Sequence, residues 1–106
     1  MTAYAVAHMR RVERTPEIRE YLERIDATLA PFGGHFVVHG DLPQILEGEF
    51  PGVLIVIGFP TLDEARAWYG SPAYQEILPL RLRNSDSDTF LVQGVEPDHR
   101  GIDVLV

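Results

Sequence analysis

At two places where strands are expected, apolar residues fail to alternate with polar ones. From Thr2 to Arg10, Tyr4, Val6 and His8 point one way, and Ala3, Ala5, Ala7 and Met9 point the other. Neither side is strongly polar, and the alanines mark a side that another element approaches closely. The stretch Val53 to Phe59 begins with five apolar residues in a row. A strand with one wet face alternates, so this strand is expected to be covered on both faces.

Between these strands the period changes to that of a helix. Ile18, Tyr21, Leu22, Ile25, Leu29 and Phe32 recur on one face. Thr15 suits the N-cap, Pro16 the first helical position and Glu17 the positive end of the helix dipole. Gly33-Gly34 ends the segment, and Pro31 shortens its last turn. His35 to His39 is a short strand. Asp41 to Pro51 is a connector, with a short extended piece expected at Ile45-Leu46-Glu47. A capping box at Thr61-Leu62-Asp63-Glu64 opens a second helix that ends at Gly70. Ser71-Pro72 begins another helical turn, which Pro79 is expected to kink or divide. Asn84 to Asp88 reads as a polar loop, and Thr89 to Val95 as the last core strand.

The order is β-α-β-β-α-β. Two right-handed crossovers in that order give a ferredoxin-like α+β fold, with a four-stranded antiparallel sheet and both helices on one face. Residues 1–95 form this domain, and residues 96–106 form a tail with apolar Ile102, Val104, Leu105 and Val106. Two helices cover only one sheet face. A second copy of the chain is the expected cover for the other, which makes a homodimer with the tail docked on it. The alternative is that the tail folds back over its own sheet, but a short tail covers too little area.

Composition narrows the chemistry. The chain has no cysteine, which excludes disulfides, thiolate metal sites and cysteine nucleophiles. All nine basic residues are arginine, so neither a Schiff base on lysine nor a lysine-containing phosphate loop is available. A net charge of -7 argues against nucleic-acid binding. No apolar stretch is long enough to span a membrane, and the apolar start lacks the preceding basic residues of a secretory signal. The expected location is cytoplasmic.

His35 and His39 stand four apart. On one strand they share a face but lie about 13 Å from each other, too far to share a metal. Asp86-Ser87-Asp88 lacks the remaining ligands of a calcium loop. No metal site and no cofactor are expected.

Several segments together resemble a known family. They are Ala3-Tyr4, Gly33-Gly34, Leu46-Glu47-Gly48, Phe59-Pro60, Arg81 and Leu91-Val92-Gln93-Gly94. Above all there is Ala67-Trp68-Tyr69-Gly70-Ser71-Pro72-Ala73-Tyr74-Gln75. The resemblance is to the domain-of-unknown-function 1330 family, DUF1330, over residues 2 to 95. It implies membership of the dimeric α+β barrel superfamily, in which two ferredoxin-like sheets pack face to face. Relatives there include cofactor-free monooxygenases, muconolactone isomerases, and haem-dependent chlorite dismutases and peroxidases. The resemblance implies no particular reaction. Two departures are His35, where the family usually has arginine, and the tail after Val95.

In this architecture a pocket is expected between sheet and helices. Trp68, Tyr69 and Ser71 are the candidates to line one end of it, with Glu47 at the mouth. Tyr74 and Arg81 are the candidate catalytic donors, with Arg81 facing an anion or an enolate. His39, before the Gly40 turn, is the candidate general base. The opposing structural reading makes Trp68 and Tyr74 core, Ser71 a helix cap, and Arg81 the partner of an acid such as Glu76. Three functions stay open. The first is a small-molecule-binding protein or cofactor-free enzyme, monooxygenase- or isomerase-like. The second is a non-catalytic homodimeric interaction or regulatory module, with a closed interior. The third is a haem-binding protein using His39, disfavoured because so short a chain is expected to make a small pocket.

Overall fold

A computed structural model describes residues 1–105. Four strands form one antiparallel sheet: β1 (Ala3–Val12), β2 (His35–His39), β3 (Val53–Phe59) and β4 (Ser85–Gln93). Their order is β2-β3-β1-β4, so the two non-alternating strands are the central pair. Three α-helices accompany them: α1 (Pro16–Leu29), α2 (Leu62–Tyr69) and α3 (Pro72–Leu82). This is the ferredoxin-like arrangement that the element order predicts.

The helix ends follow from local chemistry. The Thr15 hydroxyl accepts from the amide of Ile18, and Thr61 accepts from Glu64. A 3-10 turn over Ala30–Phe32 follows α1, as Pro31 leads one to expect, and Gly33 then takes the left-handed conformation with φ 69°.

The central strands bury one side against the helices. Ala5 pairs with Ile57 and Ala3 with Phe59, and all four are buried. Tyr21, Ile25, Leu29, Ala65, Trp68, Tyr74 and Ile77 complete this core. The opposite side carries Tyr4, Val6, Leu54 and Val56, all half-buried, together with exposed Val37, Phe90 and Val92. It remains an apolar face without cover within one subunit.

Four expectations need correction. The segment read as a polar loop at Asn84 to Asp88 largely belongs to β4, which starts at Ser85. Ser85 and Ser87 are half-buried and Asp86 and Asp88 exposed, so the alternation of a strand is present without apolar residues to show it. Arg10 on β1 holds both aspartates of this edge strand. Second, Pro79 does not divide the segment, because α3 continues from Pro72 to Leu82 across it. Pro79 is exposed, so the carbonyl it deprives of an amide can be hydrated instead. Third, the connector contains no extended piece at Ile45-Leu46-Glu47, and Leu46 is 94% exposed. Fourth, β2 has a register shift between Phe36 and Val38. His35 lies opposite Gly58 on the open face, whereas His39 lies opposite Ile55 on the helix face. The two histidines therefore do not share a face. Among the described residues no group of three or more His, Cys, Asp or Glu is placed to hold a metal.

The tail ends in a 3-10 turn over Gly101–Leu105, with Ile102, Val104 and Leu105 exposed. Within one subunit these side chains do not hide the open sheet face. Val106 lies outside the described residues. Among those residues no helix is long and apolar enough to cross a membrane.

Candidate functional site

The family-like block builds the corner between α2 and α3. Ser71 caps α3, accepting from the amide of Tyr74, and its hydroxyl donates to the carbonyl of Trp68 at 2.7 Å. Gln75 Nε2 donates to the carbonyl of Tyr69 at 2.7 Å. The Trp68 and Tyr74 rings lie 4.1 Å apart between centroids. Trp68 Nε1 donates to Thr28 Oγ1 on α1 at 3.0 Å, which ties the corner to the first helix.

Tyr74, Ile77, Leu78 and Arg81 recur at helical spacing, and all are buried on the inner face of α3. Arg81 is only 5% exposed. Its Nη1 donates to Ser87 Oγ at 2.9 Å. The expected partner Glu76 pairs instead with Arg24, at 3.1 Å. None of the ion pairs among the described residues includes Arg81. The hydroxyls of Tyr21 and Tyr74 meet at 2.8 Å, and both rings are buried.

Burial pushes the Tyr21 phenol well above its ordinary range, helped by the neighbouring Tyr74 and opposed by Arg81. Tyr21 is thus a neutral donor at ordinary pH. Burial alone depresses the Arg81 guanidinium, but the phenol oxygens of Tyr74 and Tyr21 outweigh it and raise the net value. Arg81 is a fixed cation.

These groups stand at a cleft of about 970 Å³ between the sheet and α1. Ala5, Ala7, Ile55 and Ile57 line the sheet side, and Ile18, Leu22 and Ile25 the helix side. The cleft is larger than a short chain leads one to expect, and it reaches the upper range of ordinary ligand sites. Its size follows from packing. α2 contacts β1, β3 and β4 directly, while α1 leans mainly on α3.

Of the residues singled out in the sequence, His39, Trp68, Tyr74 and Arg81 line this one cleft. His39 is exposed and stacks on Phe36, with ring centroids 4.0 Å apart. Tyr69, Ser71 and Glu47 do not line the cleft. Tyr69 packs behind Tyr74 and borders a smaller hollow with Thr89, Phe90 and Leu91. Ser71 is a cap, as its structural reading held. Glu47 is exposed in the connector.

Sequence reasoning missed Tyr21, Ser87 and Phe36. A tyrosine on an apolar helical stripe needs a partner for its hydroxyl, and that was the available signal for Tyr21. Ser87 was hidden in the misread loop.

Several solved structures share the fold at low identity. RPA0582, a protein of unknown function from Rhodopseudomonas palustris, is 15% identical, with a TM-score of 0.66 over 91% of this chain and 84% of that one. SnoaB, a cofactor-independent oxygenase from Streptomyces nogalater, is 17% identical, with a TM-score of 0.60 over 93% and 98%. A dimeric ferredoxin-like protein of unknown function from Thermobifida fusca is 18% identical, with a TM-score of 0.57 over 86% and 89%. None of the curated proteins matches the chain. The model of the DUF1330 family, a domain of unknown function, matches residues 2–95, and the chain belongs to that family.

Proposed function

We propose that this protein binds a small molecule in the cleft between the sheet and α1, and that it is a cofactor-free enzyme of the monooxygenase or isomerase kind. The observation that carries the reading is the cleft itself, about 970 Å³ with apolar walls and with Tyr21, Tyr74 and Arg81 gathered beside it. Both reaction kinds need a proton taken from the substrate and stabilisation of the oxyanion left behind. His39 supplies an imidazole for the first task, and Arg81 with the tyrosine pair supplies donors for the second. SnoaB, described as a cofactor-independent oxygenase, shares the fold and lends this reading its precedent.

The working form in this proposal is a homodimer joined through the open sheet face. Val37, Phe90 and Val92 are 52%, 51% and 44% exposed there, beside the non-alternating β3. The dimeric relative from Thermobifida fusca supports the same assembly. The exposed Ile102, Val104 and Leu105 suit a tail that docks across the dimer edge. That apolar face also favours a second reading, a non-catalytic interaction module, which needs the dimer but not the cleft.

Native mass spectrometry of gently purified, untagged protein tests both parts. A dimer mass with a small-molecule adduct supports the cleft reading and gives a chemical class. An adduct with the mass of haem would instead favour the haem-binding reading, and its loss in His39→Ala would point to His39 as the iron ligand. A bare dimer that takes up none of a panel of apolar anions and neutral molecules at millimolar concentration would leave only the interaction module. A monomer at micromolar concentration would overturn the dimer.

A further inference from the structure

Charge is distributed unevenly between the cleft and the rest of the molecule. The chain is net -7, with sixteen carboxylates against nine arginines. Three of those arginines, Arg14, Arg19 and Arg81, line the cleft, beside a single carboxylate, Glu23. Glu23 is already engaged by Arg19 at 2.8 Å. Neither Arg14 nor Arg81 takes part in an ion pair among the described residues. An acidic protein thus lines this cleft with two cations that no carboxylate pairs among the described residues.

Arg81 is the more informative of the two. It is 5% exposed, at the inner face of α3, with the neutral hydroxyl of Ser87 as its hydrogen-bond partner. A buried charge without a counter-charge is costly, and proteins ordinarily place a carboxylate beside it. The carboxylates nearest in sequence do not serve. Glu76 faces Arg24, and Asp86 and Asp88 face Arg10. Close by stand the hydroxyls of Tyr21 and Tyr74, 2.8 Å apart, which share one hydrogen bond and leave one proton to offer. A guanidinium fork and a phenol proton at one end of an apolar cleft form a receptor for oxygen anions.

We propose that the ligand of the cleft is an amphipathic organic anion: an apolar, ring- or chain-like body against Ala5, Ala7, Ile25, Ile55 and Ile57, with a carboxylate or enolate oxygen at Arg81 and the tyrosine pair. This deepens the reading above and rests on it. Arg81 is the selecting residue, since it completes its charge balance only when the anion is bound. Arg14, exposed on the same lining, attracts the anion from solvent.

Isothermal titration calorimetry on the 106-residue chain tests the proposal with a matched pair of probes, 2-naphthoate and neutral 2-naphthamide. The naphthoate is expected to bind at least about tenfold more tightly, the usual scale of one charge-assisted hydrogen bond in a sheltered site. Arg81→Met keeps the apolar volume and should bring the two affinities together. Arg81→Lys keeps the charge and should retain a preference of about threefold or more. Equal affinities in the unaltered protein would overturn the proposal while leaving the cleft reading intact. An undiminished preference in Arg81→Met would also overturn it, by placing the anion elsewhere. If Arg81→Met does not fold, the unaltered protein and Arg81→Lys still decide, because a charge-blind cleft in either contradicts the assignment. Failure of both probes to bind at millimolar concentration would sink the cleft reading along with the proposal.

Discussion

The two ends of the helix-covered sheet face differ in how completely they are filled. At one end α2 lies directly on β1, β3 and β4. Ala3 and Ala65 there are 0% exposed and Phe59 1%, so small residues have let the backbones close up. At the other end α1 is propped on α3, above strand positions Ala5 and Ala7 that are too short to reach it. The same sheet thus offers a closed core and an open cleft. The difference teaches that α2 is seated on the sheet itself, while α1 reaches the core through Tyr21, Ile25 and Leu29 and stands over the cleft with the rest of its inner face.

The sharpest way to break that comparison is to remove volume from each end. Phe59→Ala should cost about 3–5 kcal/mol, because the tightly packed end cannot collapse around the void. Ile55→Ala, half-buried beside the cleft, should cost at most about 2 kcal/mol, since a hollow is already there. Equal losses in urea unfolding would mean that the two ends are packed alike.

Adding volume sharpens the contrast. Ala65→Leu should destabilise by about 1–3 kcal/mol through overpacking. Ala7→Leu projects into the cleft, so it should cost under about 1 kcal/mol and yet weaken 2-naphthoate binding. A large stability loss for Ala7→Leu would show that the cleft is closed in solution.

A third prediction concerns the seam where the two ends meet. Tyr21 is held protonated by burial, above its unfolded value of 10.0. Between that value and its higher folded one, the folded state binds more protons than the unfolded state. Stability should therefore be fully present below about pH 10 and fall as pH rises beyond it, by up to about 1.4 kcal/mol per pH unit. Tyr21→Phe should cost about 1 kcal/mol at neutral pH, by stranding the Tyr74 hydroxyl, and should flatten the alkaline decline. An unchanged alkaline slope in denaturant titrations would assign that decline to other groups.

This contrast was only partly legible in the sequence. The unbroken apolar run Val53 to Ile57 marked the central strand, and the helix caps at Thr15 and Thr61 stood where their residue types suggest. The register shift in β2 was invisible, because a bulge is set by pairing with β3 rather than by local preference. That one residue moved His39 to the cleft side and left His35 on the open face. The Trp-Tyr-x-Ser-Pro-x-Tyr block was recognisable as a motif, but its roles were mixed. Trp68 and Tyr74 reach the cleft, whereas Ser71 and Tyr69 brace them from behind. Sequence spacing cannot separate those roles, since both kinds of residue lie within a few positions of one helix corner. Arg81 carried a signal as a charge on an apolar helical stripe, but spacing alone left Glu76 as its partner, and only the structure turns Glu76 to Arg24.

The smallest expected effect on stability comes from the rim of the cleft and the connector. His39 and Glu47 are both exposed, so replacing either with alanine should shift unfolding by no more than about 0.5 kcal/mol. Their consequences for binding should diverge. His39 lines the cleft, and its ring stacks on Phe36, so His39→Ala removes part of the wall and should weaken 2-naphthoate binding measured by calorimetry. Glu47 is not part of that lining, and Glu47→Ala should leave binding unchanged. Equal effects from both residues would place the working end of the molecule nearer the connector. A loss confined to His39 would tie function to the open end of the sheet, where stability has least to lose.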